Sequence, residues 1–339
     1  MQGRVEADRL TKQFRRFQRR EGVWGAVRDL FHREFSTLDA VDDVSFAISP
    51  GEMVGYIGPN GAGKSTSVKM LTGILTPTGG QVVANGFVPY QQRMAYTRTI
   101  GAVFGQRTQL WWDIPVVESF RLLQKIYEVS EADYRARMRR FDEILELDRY
   151  LRQPVRKLSL GERMRCDMAA ALLHNPPLIF LDEPTIGLDL LAKENIRRFL
   201  KEINREYGTT MLLTTHDLAD IEELCERLMI IDRGRILVDG PLGQLRRRFC
   251  LETQVRFELK DAEQAEALAG LPMPGVRRER LDELTWRFGF DRGDHASGDV
   301  IRRVVSAVDV RDIYLEEESI EGIIRRIYTG DAVPAMPSR

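Results

Sequence analysis

Residues 58–66 read Gly58-Pro59-Asn60-Gly61-Ala62-Gly63-Lys64-Ser65-Thr66. They fit G-x-x-x-x-G-K-[ST], the glycine-rich loop that cradles nucleotide phosphates. Glycines leave no Cβ between backbone and ligand, so successive N–H groups can turn inward as an anion nest. Lys64 is expected to set its ammonium between the β- and γ-phosphates, and Ser65 to offer its hydroxyl to Mg²⁺. Outward from the loop, Met53-Val54-Gly55-Tyr56-Ile57 is an apolar run of strand type. On the other side, Ser67-Val68-Lys69-Met70-Leu71 starts a helical pattern whose N-terminal dipole favours phosphate. The order strand, loop, helix separates this loop from a chance glycine turn. The chain is expected to bind a nucleoside triphosphate.

At 339 residues the chain has room for about two domains of typical size. A net charge of −1 argues against a dedicated nucleic-acid binder, which is usually basic. The three cysteines, Cys166, Cys225 and Cys250, are far apart, with no CxxC and no Cys/His cluster. That spacing offers neither a disulfide framework nor a zinc site and suits a reducing compartment. Arg4, Glu6, Asp8 and Arg9 break any apolar core of signal-peptide type. The apolar stretches 168–173 and 178–181, parted by His174, Asn175, Pro176 and Pro177, are too short to cross a bilayer.

Residues 5–10 and 41–48 alternate like strands, and between them lies the basic segment 15–36. Its Trp24, Val27, Phe31 and Phe35 recur at helical spacing. Such a helix fits a membrane-surface or partner-docking element, or an ordinary surface helix that packs its aromatics on the parent domain. Gly22 and Gly25 weaken it near its start and favour the ordinary reading. Residues 111–158 read as helical, and strands then alternate with helices to about 237, which calls for a mostly parallel sheet flanked by helices. Gly240-Pro241 marks a turn, and beyond Phe249 the pattern changes to strand, helix, two strands or a hairpin, helix, strand, a small α+β appendix. The expected division is a nucleotide-binding domain over 1–245, with a helical subdomain at about 107–170, an accessory domain over 246–330 and a flexible tail over 331–339.

Two further strand ends carry phosphate chemistry. Leu178-Ile179-Phe180-Leu181-Asp182-Glu183 is an apolar strand that ends in two acids. Asp182 is expected to hold Mg²⁺ through water, and Glu183 to orient the attacking water or accept its proton. His216 follows Met211-Leu212-Leu213-Thr214-Thr215 and is placed to donate a hydrogen bond to a γ-phosphate. Gln106, after Gly101-Ala102-Val103-Phe104-Gly105, offers a neutral amide to Mg²⁺ and to the γ-phosphate.

Together these segments resemble the ATPases of ATP-binding cassette (ABC) transporters. Leu158-Ser159-Leu160-Gly161-Glu162 resembles the LSGGQ signature, Ile186-Gly187-Leu188-Asp189 the D-loop, and Thr215-His216-Asp217 the switch histidine. The resemblance runs from about 5 to 245, with six motifs in order. It implies a P-loop α/β core, a mixed sheet flanked by helices plus a helical subdomain, with ATP and Mg²⁺ as ligands. It further implies a head-to-tail dimer, with itself or a homologous subunit, in which Ser159 and the Gly161 N–H of one copy close over the γ-phosphate held by the other. Asp189, in the D-loop, is implied among the nucleotide-binding residues, and Phe14 stands where the family has an aromatic stacked on adenine. The signature departs from its pattern at Leu160 and Glu162. Leu160 is acceptable if its φ stays negative, and Glu162 should point away from a triphosphate.

Gln106-Arg107-Thr108-Gln109-Leu110-Trp111-Trp112 and the LSLGER signature are similar to ABC-2-type bacterial members, mainly exporters. Glu317-Glu318-Ser319-Ile320-Glu321-Gly322-Ile323-Ile324 is similar to the ending of drug-export members. Trp111 and Trp112 either line a groove for a cytoplasmic helix of a membrane subunit or pack the helical subdomain. The resemblance thus implies an ATP hydrolase on the cytoplasmic face of the membrane, driving permease subunits that choose the cargo, with no nucleic acid involved. An importer ATPase, or a cytosolic cassette acting on ribosomes or DNA, is the alternative.

Overall fold

The computed structural model describes residues 2–17, 35–105, 107–249, 253–290, 294–316 and 320–329. Gln106, the interior of the basic segment and the tail after 329 lie outside the described residues. The chain divides into two compact units, Met1–Gly240 and Pro241–Arg339.

In the first unit β1 (Val5–Phe17) pairs antiparallel with β2 (Phe35–Ile48), and β3 (Met53–Ile57) follows. Next come α1 (Lys64–Leu71), β4 (Gly79–Ala84), α2 (Arg93–Thr97) and β5 (Ile100–Phe104). A helical stretch holds α3 (Val116–Ile126), α4 (Glu131–Leu145) and α5 (Leu160–Leu172). The chain then alternates through β6 (Leu178–Asp182), α6 (Leu190–Tyr207), β7 (Thr210–Thr214), α7 (Leu218–Leu224), β8 (Arg227–Asp232) and β9 (Arg235–Pro241). A three-stranded sheet has the order β2-β1-β4 and a six-stranded one the order β5-β6-β7-β3-β8-β9. The pairs β5/β6, β6/β7, β7/β3 and β3/β8 are all parallel. Covered on both faces, β3 and β7 are buried at every residue, which is why they read as continuous apolar runs. Because these strands are parallel, β3, β6 and β7 all end on one edge of the sheet, where open α/β folds bind ligands.

Two local expectations are corrected. Residues 15–17 and 35 are not helical. The ladder continues through Phe14↔Leu38, Arg15↔Thr37, Arg16↔Ser36 and Phe17↔Phe35, so inter-strand pairing holds these residues as strand, while Trp24, Val27 and Phe31 lie outside the described residues. Residues 111–115 also precede the helix they were expected to open. Pro115 occupies the N-cap position of α3, and Ser130 caps a separate α4. The helical layer is held to the core by a Phe141–Phe199 edge contact at 5.4 Å and by Arg140, which pairs with Glu202 at 2.6 Å and Glu206 at 3.0 Å.

The second unit starts with α8 (Leu242–Phe249) and continues with β10 (Thr253–Leu259), α9 (Ala265–Ala269), β11 (Arg277–Arg280) and β12 (Thr285–Phe290). It closes with α10 (Ser297–Ala307), β13 (Val310–Glu316) and α11 (Ile320–Thr329). The division by contacts falls after Gly240, so the whole of α8 belongs here. The strand order β11-β12-β10-β13, with antiparallel pairs, makes the appendix a ferredoxin-like β-α-β-β-α-β sheet. Val255, Phe257 and Phe288 pack its core against Leu268, Val300 and Val304.

Candidate nucleotide site

Buried β3 delivers the phosphate loop to the carboxyl edge of the sheet, and two of its glycines are sterically required. A Cβ on Gly58 would lie 2.3 Å from the Ile231 carbonyl oxygen, and one on Gly63 would lie 2.3 Å from that of Ala40. Gly63 also takes φ 109°, open to glycine and costly for other residues. As the N-cap of α1 it provides no side-chain cap, so the first N–H groups of the helix keep their donor capacity for an anion. Lys64 is largely buried and donates from Nζ to the carbonyls of Gly58 at 2.6 Å and Pro59 at 3.2 Å. Burial lowers the pKa of its ammonium, while Glu183 and Asp182 oppose that shift.

Next to the loop, β6 and β7 bring Asp182 and Thr214 into register. Asp182 Oδ1 accepts from Thr214 Oγ1 at 2.5 Å and from Ser65 Oγ at 3.3 Å. These are hydroxyl and carboxylate oxygens, the donor set of a hard cation. Among the described residues no group of three His, Cys, Asp or Glu side chains could hold a metal unaided. Mg²⁺ therefore fits Ser65 and Asp182 only with phosphate and water oxygens completing its shell.

Glu183 turns the chain sharply. Its φ is 57°, a left-handed conformation that a non-glycine residue adopts at some cost, and its N–H donates to the Thr214 carbonyl at 2.9 Å. A Cβ on Gly105 would stand 2.1 Å from the Glu183 carbonyl oxygen, so the residue before Gln106 must be glycine for this turn to fit. The turn aims the Glu183 carboxylate at His216, whose Nδ1 lies 2.5 Å from Oε2. The imidazole is otherwise exposed, with 63 % of its side-chain surface open.

Ser159 is the N-cap of α5 in a capping box. Its Oγ accepts from the Glu162 N–H at 3.3 Å, and the Glu162 carboxylate accepts from the Ser159 N–H at 2.8 Å. Glu162 folds back on the helix start, where its carboxylate satisfies an orphan donor. The Ser159 hydroxyl keeps its own hydrogen to donate. Leu160 enters the helix with no positive φ, and Gly161 lies 3.5 Å, measured from a built Cβ, from Ala192. Asp189 caps α6, accepting from the Ala192 N–H at 2.8 Å. Phe14 stands on β1, partly exposed, with Lys12 Nζ 5.4 Å from its ring centre. Lys12 pairs with Val41, next to the Ala40 carbonyl that Gly63 faces, so the aromatic shares the ladder that borders the phosphate loop.

Gln106 lies outside the described residues, but the loop after it is strapped to α5. Thr108 Oγ1 and the Gln109 N–H both donate to Asp167 Oδ1, at 2.8 and 3.1 Å. Burial raises the Asp167 pKa to about 6, against those hydrogen bonds. Trp111 and Trp112 are 40 % and 48 % exposed, so core packing does not account for them, and Arg163 covers Trp112 with its guanidinium 5.4 Å from the ring. Thr214, Gly105 and Asp167 also belong to this arrangement, and no motif in the sequence singles them out. A hydroxyl closing an apolar strand, a glycine abutting a sensor residue and an acid beside Cys166 and Met168 were the available signals.

This geometry finds its counterpart among known proteins. The profile of the ABC transporter family matches residues 41–186. The ABC transporter ATP-binding protein NatA of Bacillus subtilis (strain 168) is 31 % identical over 63 % of this chain and 87 % of its own length. This chain belongs to the ABC transporter family. The Nod factor export ATP-binding protein I of Cupriavidus metallidurans is 38 % identical over 60 % of this chain and 67 % of its own. The dimeric post-hydrolysis structure of the ATP-binding cassette MJ0796 with ADP and Pi shares 28 % identity and a TM-score of 0.58, covering 70 % of this chain and 98 % of that one. As a member of this family the chain is an ATP-binding cassette and an ATP hydrolase. Among the described residues no helix is long and apolar enough to cross a membrane.

Proposed function

We propose that this chain is the ATPase subunit of an export-type ABC transporter, working as a head-to-tail pair on the cytoplasmic face of separate membrane subunits. The observation that carries the reading is the convergence of Lys64, Ser65, Asp182, Glu183 and His216 at the carboxyl ends of β3, β6 and β7. Export is favoured by the Nod factor export relative.

In this reading the N–H groups from Gly58 to Thr66 and the Lys64 ammonium hold the triphosphate. Ser65, Asp182 and Gln106 would hold Mg²⁺, which would neutralise charge on the phosphates. The Glu183 carboxylate accepts a proton from the water that attacks the γ-phosphorus, and the β–γ anhydride bond breaks to leave ADP and phosphate. His216 holds Glu183 through Nδ1, which leaves the other ring nitrogen to face the γ-phosphate. Ser159 and the Gly161 N–H act on the ATP of the partner copy, with Asp189 at the same interface, and Phe14 stacks on the adenine. The exposed Trp111 and Trp112 receive a helix of the membrane subunit.

Glu183→Gln should keep ATP affinity within about twofold and lower kcat by about a hundredfold or more, the scale of general-base catalysis. Nucleotide binding with a fluorescent ATP analogue and a phosphate-release assay read the two quantities. Hydrolysis at the wild-type rate would remove Glu183 from the mechanism.

A further inference from the structure

Behind the Glu183–His216 pair lies a buried group of charges that the hydrolytic chemistry does not use. Asp220, on α7, has no exposed surface, and Arg197, on α6, is 5 % exposed. Arg197 Nε donates to Asp220 Oδ1 at 2.6 Å. The other carboxylate oxygen, Oδ2, accepts from Thr185 Oγ1 and, at 3.2 Å, from Thr215 Oγ1. Thr185 lies two residues past Glu183, and Thr215 immediately precedes His216. One carboxylate oxygen therefore ties together the two loops that present the pair.

The surroundings keep this carboxylate in place. Arg197 Nη1 also donates to Glu223 at 2.9 Å. Thr215 Oγ1 accepts from the Asp217 N–H at 2.9 Å, and Asp217 caps α7 while holding Lys193 Nζ at 2.6 Å. A buried ion pair adds little net stability, because desolvation offsets its Coulomb attraction, and apolar side chains would fill the same volume. What apolar side chains would lack is an acceptor for two hydroxyls at one point.

We infer that Asp220, fixed by Arg197, is a positioning residue that sets the Glu183 turn in register with the His216 loop through Thr185 and Thr215. The inference rests on the assignment of Glu183 and His216 to hydrolysis. It follows that a change at Thr185, on the loop leading to Asp189, is transmitted to His216 through a single carboxylate. Neither threonine touches the reacting atoms.

The test measures kcat, KM for ATP and Tm for Thr185→Val, Thr185→Ser and Asp220→Asn, with Glu183→Gln in parallel. Thr185→Val should lower kcat about tenfold or more with KM within about twofold, since misplacement by an ångström can cost a hundredfold. Thr185→Ser, which restores the hydroxyl, should recover most of that loss. Adding Thr185→Val to Asp220→Asn should cost nothing further, because the acceptor is already weakened. Wild-type kcat in Thr185→Val beside an inactive Glu183→Gln would overturn the positioning role while leaving the base intact. Equal losses in the Val and Ser variants, or fully additive losses in the double variant, would also overturn it. An active Glu183→Gln would remove both assignments. If Asp220→Asn does not fold, the Val and Ser variants decide alone.

Discussion

At the scale of single residues, the site depends on backbone positions that tolerate one residue type. Glu183 occupies a left-handed φ of 57°, and Gly105 makes room for its carbonyl. Gly105→Ala must displace that carbonyl, since the built Cβ comes within 2.1 Å of it. The expected result is a loss of about 1–3 kcal/mol in stability, as for overpacking, with a fall in kcat larger than any change in ATP affinity. Thermal melts and steady-state ATPase assays check both, and a variant with wild-type Tm and kcat would contradict the tight fit. The phosphate loop, Asp182, Glu183 and His216 were legible in the sequence because phosphate chemistry demands those residue types at strand ends. Gly105, Thr214 and Asp220 were not, because their roles come from strands and helices that meet only in the folded chain.

At the scale of elements, α5 joins two functions. Its first turn presents Ser159, and its third holds the loop after Gln106 through Asp167. The raised Asp167 pKa carries a definite sign. The native state holds this proton more tightly than the unfolded chain, so the contribution is fully present below about 3.8 and is lost as pH rises through about 6. Asp167→Asn removes that titration, so the stability of the variant relative to wild type should rise between pH 4 and pH 7. A shift from 3.8 to about 6 corresponds to about 3 kcal/mol at most. Urea denaturation of both proteins at the two pH values measures it, and a pH-independent difference would contradict the burial argument. Element type was legible where periodicity was strong, as in β3, β6, β7 and α5. It failed at 15–17 and 35, where the spacing of Trp24, Val27, Phe31 and Phe35 in the sequence suggests a helix while the β1–β2 ladder continues.

At the scale of the whole molecule, the two units differ in how much the sequence revealed. The parallel core followed from alternating strands and helices. The appendix was legible as a succession of elements, and β11 with β12 as a local hairpin, but the order β11-β12-β10-β13 was not, since β10 pairs with the distant β12 and β13. Trp111 and Trp112 are half-exposed, and in the proposed assembly they receive a helix of a membrane subunit. Trp112→Ala should leave the basal ATPase of the isolated subunit unchanged while weakening capture of the membrane subunits by about 2 kcal/mol, roughly thirtyfold in Kd. Co-purification with the permease and an ATPase assay on the free subunit separate the two effects, and unchanged capture would return the tryptophans to a local packing role.

In the proposed cycle ATP closes two copies of this chain around shared sites, and hydrolysis at Glu183 then opens them. Light scattering on a sizing column, with Glu183→Gln in ATP and Mg²⁺, tests it most directly. The expected result is a species of twice the monomer mass that disappears when ATP is replaced by ADP. A monomer under both conditions would contradict it.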